Sequence, residues 1–548
     1  MLTLAALLAT TSHSVLAQPI GAGGQLQQIP PAPVPDRAIP EIRIERSEAR
    51  TDLPETGERI LVNSLQITGE TLFPEAELIA ASGFQPGGQM SLSDLRTLAG
   101  RITAYYNSRG YFVAQAYLPA KDIRDGAVAI AVVEGRYGAV TLNNRSHLSN
   151  GVAAGILSGL DSGDVVANRP LERRLLLLSD IPGVGVNSTL SPGAAVGTSD
   201  LVVDIVDTRR ITGSVQADNA GNRYTGEYRA GGAINFNNVT GHGDVASLRV
   251  LSSFEGMNYA RASYQTQLRA ATVGAAYSWL GYELGEEFSA LEADGTATVL
   301  SAFASYPLIR SYRTNLYGLL VGEAKTFEDD IGSTGFTSEK SARVLTAGLN
   351  GEHRDSFGGG GWSFFILNAS FGDLDIETDV VRAVDELTAQ THGGYQKLAF
   401  EAGRLQSIAG PLSLYGAVKG QLASKNLDSS EKMELGGAYN VRAYPEGEGF
   451  GDEGYVATLE ARVDLPINVP GRLQAVGFVD HGQITINKDP WAPGENRRTL
   501  SGAGVGLTWA AANDFMVKVS YAMKLGDEEA TSAPDRDGRF WIQLSKLF

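Results

Sequence analysis

The sequence contains no cysteine, which excludes a disulfide framework, a thiolate metal site and a cysteine nucleophile. Its six histidines are scattered and none pairs at i, i+4, so no helical two-histidine zinc motif is present and no metal is expected. Basic charge is scarce. The chain holds 45 Lys+Arg against 62 Asp+Glu, a net charge of −17. A nucleic-acid partner needs a basic footprint that this chain lacks. No apolar run reaches the ~18 residues of a transmembrane helix, and mean hydropathy is −0.09. A membrane-spanning reading therefore requires a closed β-barrel, the other fold that satisfies every backbone group in lipid. No G-x-S-x-G, Walker A or H-E-x-x-H motif occurs. The strings GEGFG (447–451) and GAGVG (502–506) are not phosphate loops: the first sits among acids, and alternate glycines in the second make a smooth strand wall. No enzyme activity and no cofactor is expected.

Glycine is what the chain has in excess, 65 residues of 548, about 12 % against the usual ~7 %. Residues 1–17 begin with the apolar LTLAALLA and end in Val15-Leu16-Ala17, a small-residue cleavage pattern. They read as a secretory signal peptide without its basic start, since the first basic residue is Arg37. A disordered N-terminus is the other reading. Residues 18–59 read as a proline-rich linker, with Pro30, Pro31, Pro33, Pro35 and Pro40 favouring extended backbone. Within it, Gly21, Gly23 and Gly24 make 18–28 a poor helix.

From Ile60 the texture becomes α+β. Residues 61–68 read as a strand. A helix capped by Ser91 follows, with Leu95, Leu98, Ile102 and Tyr105 on one face, closed by Arg109-Gly110. Tyr111–Leu118 and Ala127–Glu134 read as strands joined by a turn at Asp125-Gly126. The order β-α-α-β-β then repeats after about 70–75 residues: strand Tyr137–Leu142, helix Leu148–Leu157, a helix begun by Pro170, and strands Val184–Leu190 and Leu201–Val206. The expected divisions are 60–135 and 136–208. Sheets of this kind leave an edge strand to which an extended partner can add through backbone hydrogen bonds.

Residues 209–548 alternate with period two. In 211–218, Ile211, Gly213, Val215 and Ala217 oppose polar neighbours. Leu412, Leu414, Val418 and Leu422 do so in 412–422, and Tyr455, Leu459, Val463 and Leu465 in 455–465. Phe515, Val517, Val519, Tyr521 and Met523 do so in 515–523. Apolar-out, polar-in strands fit a transmembrane barrel, and a soluble β-sandwich also alternates. About 16 strands at ~21 residues per strand and connection would fill this region. The terminal RFWIQLSKLF puts Phe540, Ile542, Leu544 and Phe548 on one face. In the long glycine-rich acidic loop 436–454, Arg442 is the only base. Asp480 shares a strand face with Gln474, taken as lumenal. Arg442 and Asp480 either pair inside the barrel or are two solvated charges.

The modules resemble POTRA domains, the periplasmic units of outer-membrane insertases and protein transporters. The first matches at G-E-T-L-F-P (69–74), Y-Y-N-S-R-G-Y (105–111), Y-L-P-A-K-D-I-R-D-G (117–126) and V-V-E-G-R (132–136). The second matches at L-S-D-I-P-G-V (178–184), S-P-G (191–193) and G-T-S-D-L (197–201). V-R-A-Y, formed by Val441, Arg442, Ala443 and Tyr444, resembles the V-R-G-Y/F signature at the tip of the inward-folded sixth loop of POTRA-barrel proteins. F-V-D-H-G, with Phe478, Asp480 and Gly482, resembles the wall signature that receives it. This resemblance implies contact of Arg442 with Asp480, with Tyr444 and Phe478 nearby. Ala443 stands where glycine is usual.

The barrel's first hairpin narrows the resemblance. Its marks are Asp218, Asn219 and Gly221, then Thr225, Gly226 and Arg229, then F-N-N-V-T-G-H-G-D (236–244). It is similar to that of two-partner secretion transporters (TpsB family), the haemolysin secretion/activation and filamentous haemagglutinin type. A terminal aromatic such as Phe548 resembles the signal by which bacterial outer-membrane barrels are recognised for assembly. The resemblance implies two periplasmic α+β POTRA domains followed by an antiparallel β-barrel in the outer membrane of a Gram-negative bacterium. It further implies an exoprotein that docks on the POTRA domains by its N-terminal secretion domain and crosses unfolded without ATP. Outer-membrane lipid would surround the barrel, and the barrel-assembly machinery would act during biogenesis. Family members often carry an N-terminal plug helix, which the glycines of 18–28 do not support. An outer-membrane insertase, a passive porin and a soluble β-protein are the alternatives.

Overall fold

The protein is described from a computed structural model, which describes residues 21–33, 40–45, 59–119 and 126–548. The expected signal peptide at 1–17 and Asp125 of the expected turn lie outside the described residues. The described residues separate into two units, one drawn from 40–209 and the other from 21–33 with nearly all of 210–548.

In the first unit, the helix Leu92–Ser108 starts where the sequence places it. The Ser91 hydroxyl accepts the Asp94 N–H, and the Asp94 carboxylate accepts the Ser91 N–H at 2.8 Å, a capping box. Its buried face is Leu95, Leu98, Ile102 and Tyr106. Tyr106, rather than Tyr105, is the inward aromatic. At ~100° per residue, eleven steps from Leu95 return to within about 20° of the same azimuth, whereas ten fall well short. The Tyr106 hydroxyl donates to Glu134 at 3.1 Å, and Glu134 also accepts the N–H groups of Thr71 (2.6 Å) and Leu72 (2.8 Å). The glutamate of the V-V-E-G-R string thus ties helix, sheet and loop together.

Ser64–Thr68 pairs parallel with Ala127–Val133, which pairs antiparallel with Gln115–Tyr117. The last strand is shorter than the expected 111–118, because the start of that segment turns. The Tyr111 N–H donates to the Tyr106 carbonyl, and the Ala114 N–H donates to the Tyr111 carbonyl. The second module repeats the order as Arg136–Arg145, helices Asn150–Leu157 and Asn168–Ser179, and strands Val184–Pro192 and Thr198–Asp207. Part of the proline-rich segment joins this sheet: Glu41–Ile44 lies parallel along the edge of Val184–Pro192, Glu41 opposite Asn187 and Ile44 opposite Leu190.

The other unit is a closed antiparallel barrel of sixteen strands, from Ile211–Asp218 to Gly538–Leu547. No helix among the described residues is long and apolar enough to cross a membrane; a closed barrel is the other fold that satisfies its backbone in lipid. Along Leu412–Ala423, Leu414, Val418 and Leu422 are exposed on the outside while Ser413 and Gln421 are buried within. Strands near the closure are short, eight residues in Ile211–Asp218, and those opposite reach twenty in Phe336–Asp355. The first and last strands pair only from Ser214–Leu547 to Asp218–Gln543. Beyond that ladder the Gly213 N–H donates to the Phe548 carbonyl at 3.0 Å and the Phe548 N–H returns to Gly213 at 3.1 Å. A side chain at Gly213 would strike the Phe548 ring, its Cβ falling 2.5 Å from Cζ.

The glycine-rich stretch 21–28 departs from expectation. Ala22–Gln27 forms a short helix packed against the barrel unit, with Ala22 in an apolar cluster that includes Leu280, Phe327 and Leu374. Tertiary contacts rather than propensity hold it. The Ala22 N–H donates to Asp329 at 2.7 Å, and Gln27 donates to the Ser430 carbonyl. Gly23 is required here: a Cβ would lie 2.8 Å from the Ser430 Cβ.

Candidate functional site: the lock inside the barrel

The eleventh barrel strand, Leu412–Ala423, leads into the connection 424–452, which returns as Glu453–Asp464. Strand parity opens this sixth loop at the end opposite to the chain's entrance into the barrel. Its tip is nevertheless buried. Val441, Ala443 and Tyr444 are fully inaccessible and pack with Leu435, Val456, Phe478, Ile484 and Leu500.

Arg442 is held from several sides. Nε donates to Asp480 Oδ2 and Nη2 to Asp480 Oδ1, both at 2.8 Å, and its backbone N–H reaches Oδ2 at 3.2 Å. Nη1 donates to Glu460 at 2.8 Å. The guanidinium carbon lies 3.5 Å from the centroid of the Phe478 ring. Asp480 is fully buried and also accepts the Thr458 hydroxyl at 2.9 Å. Arg462 neutralises the far oxygen of Glu460 at 2.7 Å. The Trp541 indole of the last strand donates to the Arg442 carbonyl at 2.7 Å.

The wall is cut to fit. An added Cβ at Gly502 would lie 2.5 Å from the Ala443 Cβ, and one at Gly504 2.4 Å from the Phe478 ring. The alternate glycines of GAGVG are the sockets of tip and ring. Gly482 makes room in the same way for Leu435, 2.7 Å from the would-be Cβ. Ala443 is not among the positive-φ residues, so the departure from glycine needs no strained backbone.

The first-hairpin residues gather elsewhere in the barrel. Asp218 accepts Arg229 Nε at 2.9 Å, and both are buried. Arg229 also donates to the Gln28 carbonyl at 3.0 Å, and the Thr225 hydroxyl to Gln25 at 3.1 Å, so this hairpin grips the short helix. Asn219 bridges the closure: its side chain accepts the Ile542 N–H and donates to the Phe540 carbonyl, both at 2.8 Å. Gly221 and Gly226 allow a tight turn; a Cβ on Gly221 would lie 2.1 Å from the Gly226 carbonyl, and Gly226 has φ +104°.

Glu460, Thr458 and Trp541 were not singled out by sequence. Glu460 sits at a polar position of the 455–465 alternation, and that was its one signal.

The family described as haemolysin secretion/activation protein ShlB/FhaC/HecB matches residues 197–509, and the ShlB-type POTRA domain matches 60–135. The chain belongs to this family. It is an outer-membrane transporter of two-partner secretion, exporting a partner exoprotein, with a periplasmic POTRA domain. It is not an enzyme. The chain is 30 % identical over 474 residues to the heme/hemopexin transporter protein HuxB of Haemophilus influenzae, covering 84 % of this chain and 82 % of that one. It is 24 % identical over 438 residues to the outer membrane transporter CdiB of Dickeya dadantii, covering 77 % and 75 %. The solved structure of CdiB from Escherichia coli shares the fold at a TM-score of 0.70 with 20 % identity, over 92 % of each chain. With a periplasmic POTRA domain ahead of the barrel, the eleven strands that precede the sixth loop, an odd number, place its mouth on the cell exterior.

Proposed function

We propose that this transporter takes its client from the periplasm at the sheet edges of two POTRA domains, 60–135 and 136–208, and conducts it in extended form through the barrel 209–548. The observation that carries this reading is the buried lock of Arg442 on Asp480 and Glu460, which fills lumen that a client must use. Passage requires the tip to leave, and refolding outside the cell makes passage one-way without ATP. The second module offers an edge at Val184–Pro192 that its own chain, Glu41–Ile44, already covers. A client segment adding there competes with that strand.

Residues 1–17 serve as the export signal, and Phe548 as the mark read by the barrel-assembly machinery. Relatives at 29–30 % identity bear the name heme/hemopexin transporter, which favours a client of the heme/hemopexin type.

The test is mass spectrometry of culture supernatant and outer membrane with and without the gene. Loss of one large secreted protein with other barrels unchanged supports dedicated secretion. Loss of many barrel proteins means an insertase, and no change under conditions of client expression means a passive pore.

A further inference from the structure

The sixth loop is held at a second place. Glu448, in its returning stem, is fully buried. Its carboxylate accepts the Thr531 N–H (2.9 Å) and hydroxyl (2.8 Å), and the Ser532 N–H (2.7 Å) and hydroxyl (2.8 Å). It also forms an ion pair with Arg498, itself buried. Arg498 reaches over to the Thr531 hydroxyl at 3.0 Å and the Glu529 carbonyl at 2.7 Å. Thr531 and Ser532 belong to the last exterior loop, 525–537, which leads into the closing strand Gly538–Leu547. One more bond joins the same pair of loops: the Tyr444 hydroxyl donates to the Glu528 carbonyl at 3.1 Å.

The two attachments of the sixth loop differ in what they fasten it to. Arg442 ties the tip to Asp480 and Glu460, which stand on the barrel strands Arg472–Thr485 and Glu453–Asp464. Glu448 ties the stem to Thr531 and Ser532, which stand on another loop. Arg442 can therefore leave the wall without breaking any bond between the two loops. We propose that Glu448 is a positioning residue that fuses the sixth loop to loop 525–537, so that the two move as one body when the Arg442 lock opens. The loop that clears the lumen would then act directly on the outer end of the closing strand, whose ladder with the first strand is only five residues long.

The absence of native cysteine allows a clean spectroscopic test. Spin labels at Tyr439→Cys and Asp527→Cys, both exposed positions, report the distance between the two loops in the full-length purified protein. The native background should give one narrow distance peak. Arg442→Ala should keep that peak, because both loops travel together, while Glu448→Gln should replace it with a broad distribution. Folded barrels are selected by heat-modifiable gel migration. If Glu448→Gln does not form a barrel, Thr531→Val with Ser532→Ala removes donors from a loop outside the strands and should broaden the peak in the same way. A narrow peak in the stem variant, or equal broadening in Arg442→Ala, would overturn the proposal.

Discussion

Arg442 and Asp480 stand 38 residues apart in the chain and meet as a two-bond fork of 2.8 Å contacts inside the barrel, with the carboxylate fully buried. Glu460 adds a third charge-assisted bond, so the guanidinium is shared by two carboxylates. Removing one member of a buried pair typically costs ~3–5 kcal/mol, since the other is left uncompensated. Arg442→Ala and Asp480→Ala are therefore each expected to cut secretion by at least about tenfold, a loss equivalent to ~1.4 kcal/mol. The double variant should lose little more than either alone. Quantitative immunoblots of client in supernatant, with gel migration to confirm folded barrels, check this. Additive losses would mean that the two residues act separately.

Fit at the tip can be tested without touching a charge. Gly502→Ala places a methyl group into the Ala443 Cβ, and overpacking of this kind costs ~1–3 kcal/mol. Secretion should fall, and Ala443→Gly should restore it by vacating the same volume. Failure of the second change to rescue the first would show that Gly502 matters for strand packing alone.

The short helix Ala22–Gln27 should depend on Gly23. Gly23→Val drives its side chain into Ser430, 2.8 Å from the would-be Cβ and 3.1 Å from backbone atoms. Dislodging the helix should raise the frequency of open events in planar lipid bilayers relative to the native protein. An unchanged frequency would mean that the helix does not limit opening.

In the first module, burial pushes the Glu134 carboxyl up, but hydrogen bonds from the Thr71 hydroxyl, the Thr71 and Leu72 N–H groups and Tyr106 outweigh it and hold the group below the usual carboxylate range. A folded-state pKa below the unfolded one adds stability above the unfolded value, ~4.3, and loses it as pH falls through the depressed folded value. Pulse proteolysis in urea should show module 60–135 losing stability from about pH 5 downward. Glu134→Gln should be less stable at pH 7 and show a flatter acid profile. An unchanged profile would remove Glu134 as the acid-sensitive group.

Much of this was legible because its signals are local. Period-two alternation follows from the pleat, so the sequence alone puts Leu414, Val418 and Leu422 on one face, which is the outer one. Ser91 announced its helix because a cap needs only neighbours three residues on. V-R-A-Y and F-V-D-H-G marked Arg442 and Asp480 as members of a family constellation. Tyr105 and Tyr106 stand one position apart, and the side-chain pattern favours Tyr105 where the helix buries Tyr106.

Fold class, family and the candidates Arg442 and Asp480 are readable along the chain, since alternation, caps and motifs are short-range properties. What those residues meet is set by contacts across the fold. Glu460 and Trp541 complete the Arg442 site, Glu448 finds Thr531 and Ser532 some 83 residues on, and Gly23 lies against Ser430 across most of the barrel unit. A six-residue glycine-rich helix and a four-residue strand at Glu41–Ile44 have too little intrinsic propensity to announce themselves. They exist because a completed wall or sheet edge supplies the contacts, and such partners leave no periodicity behind in the sequence.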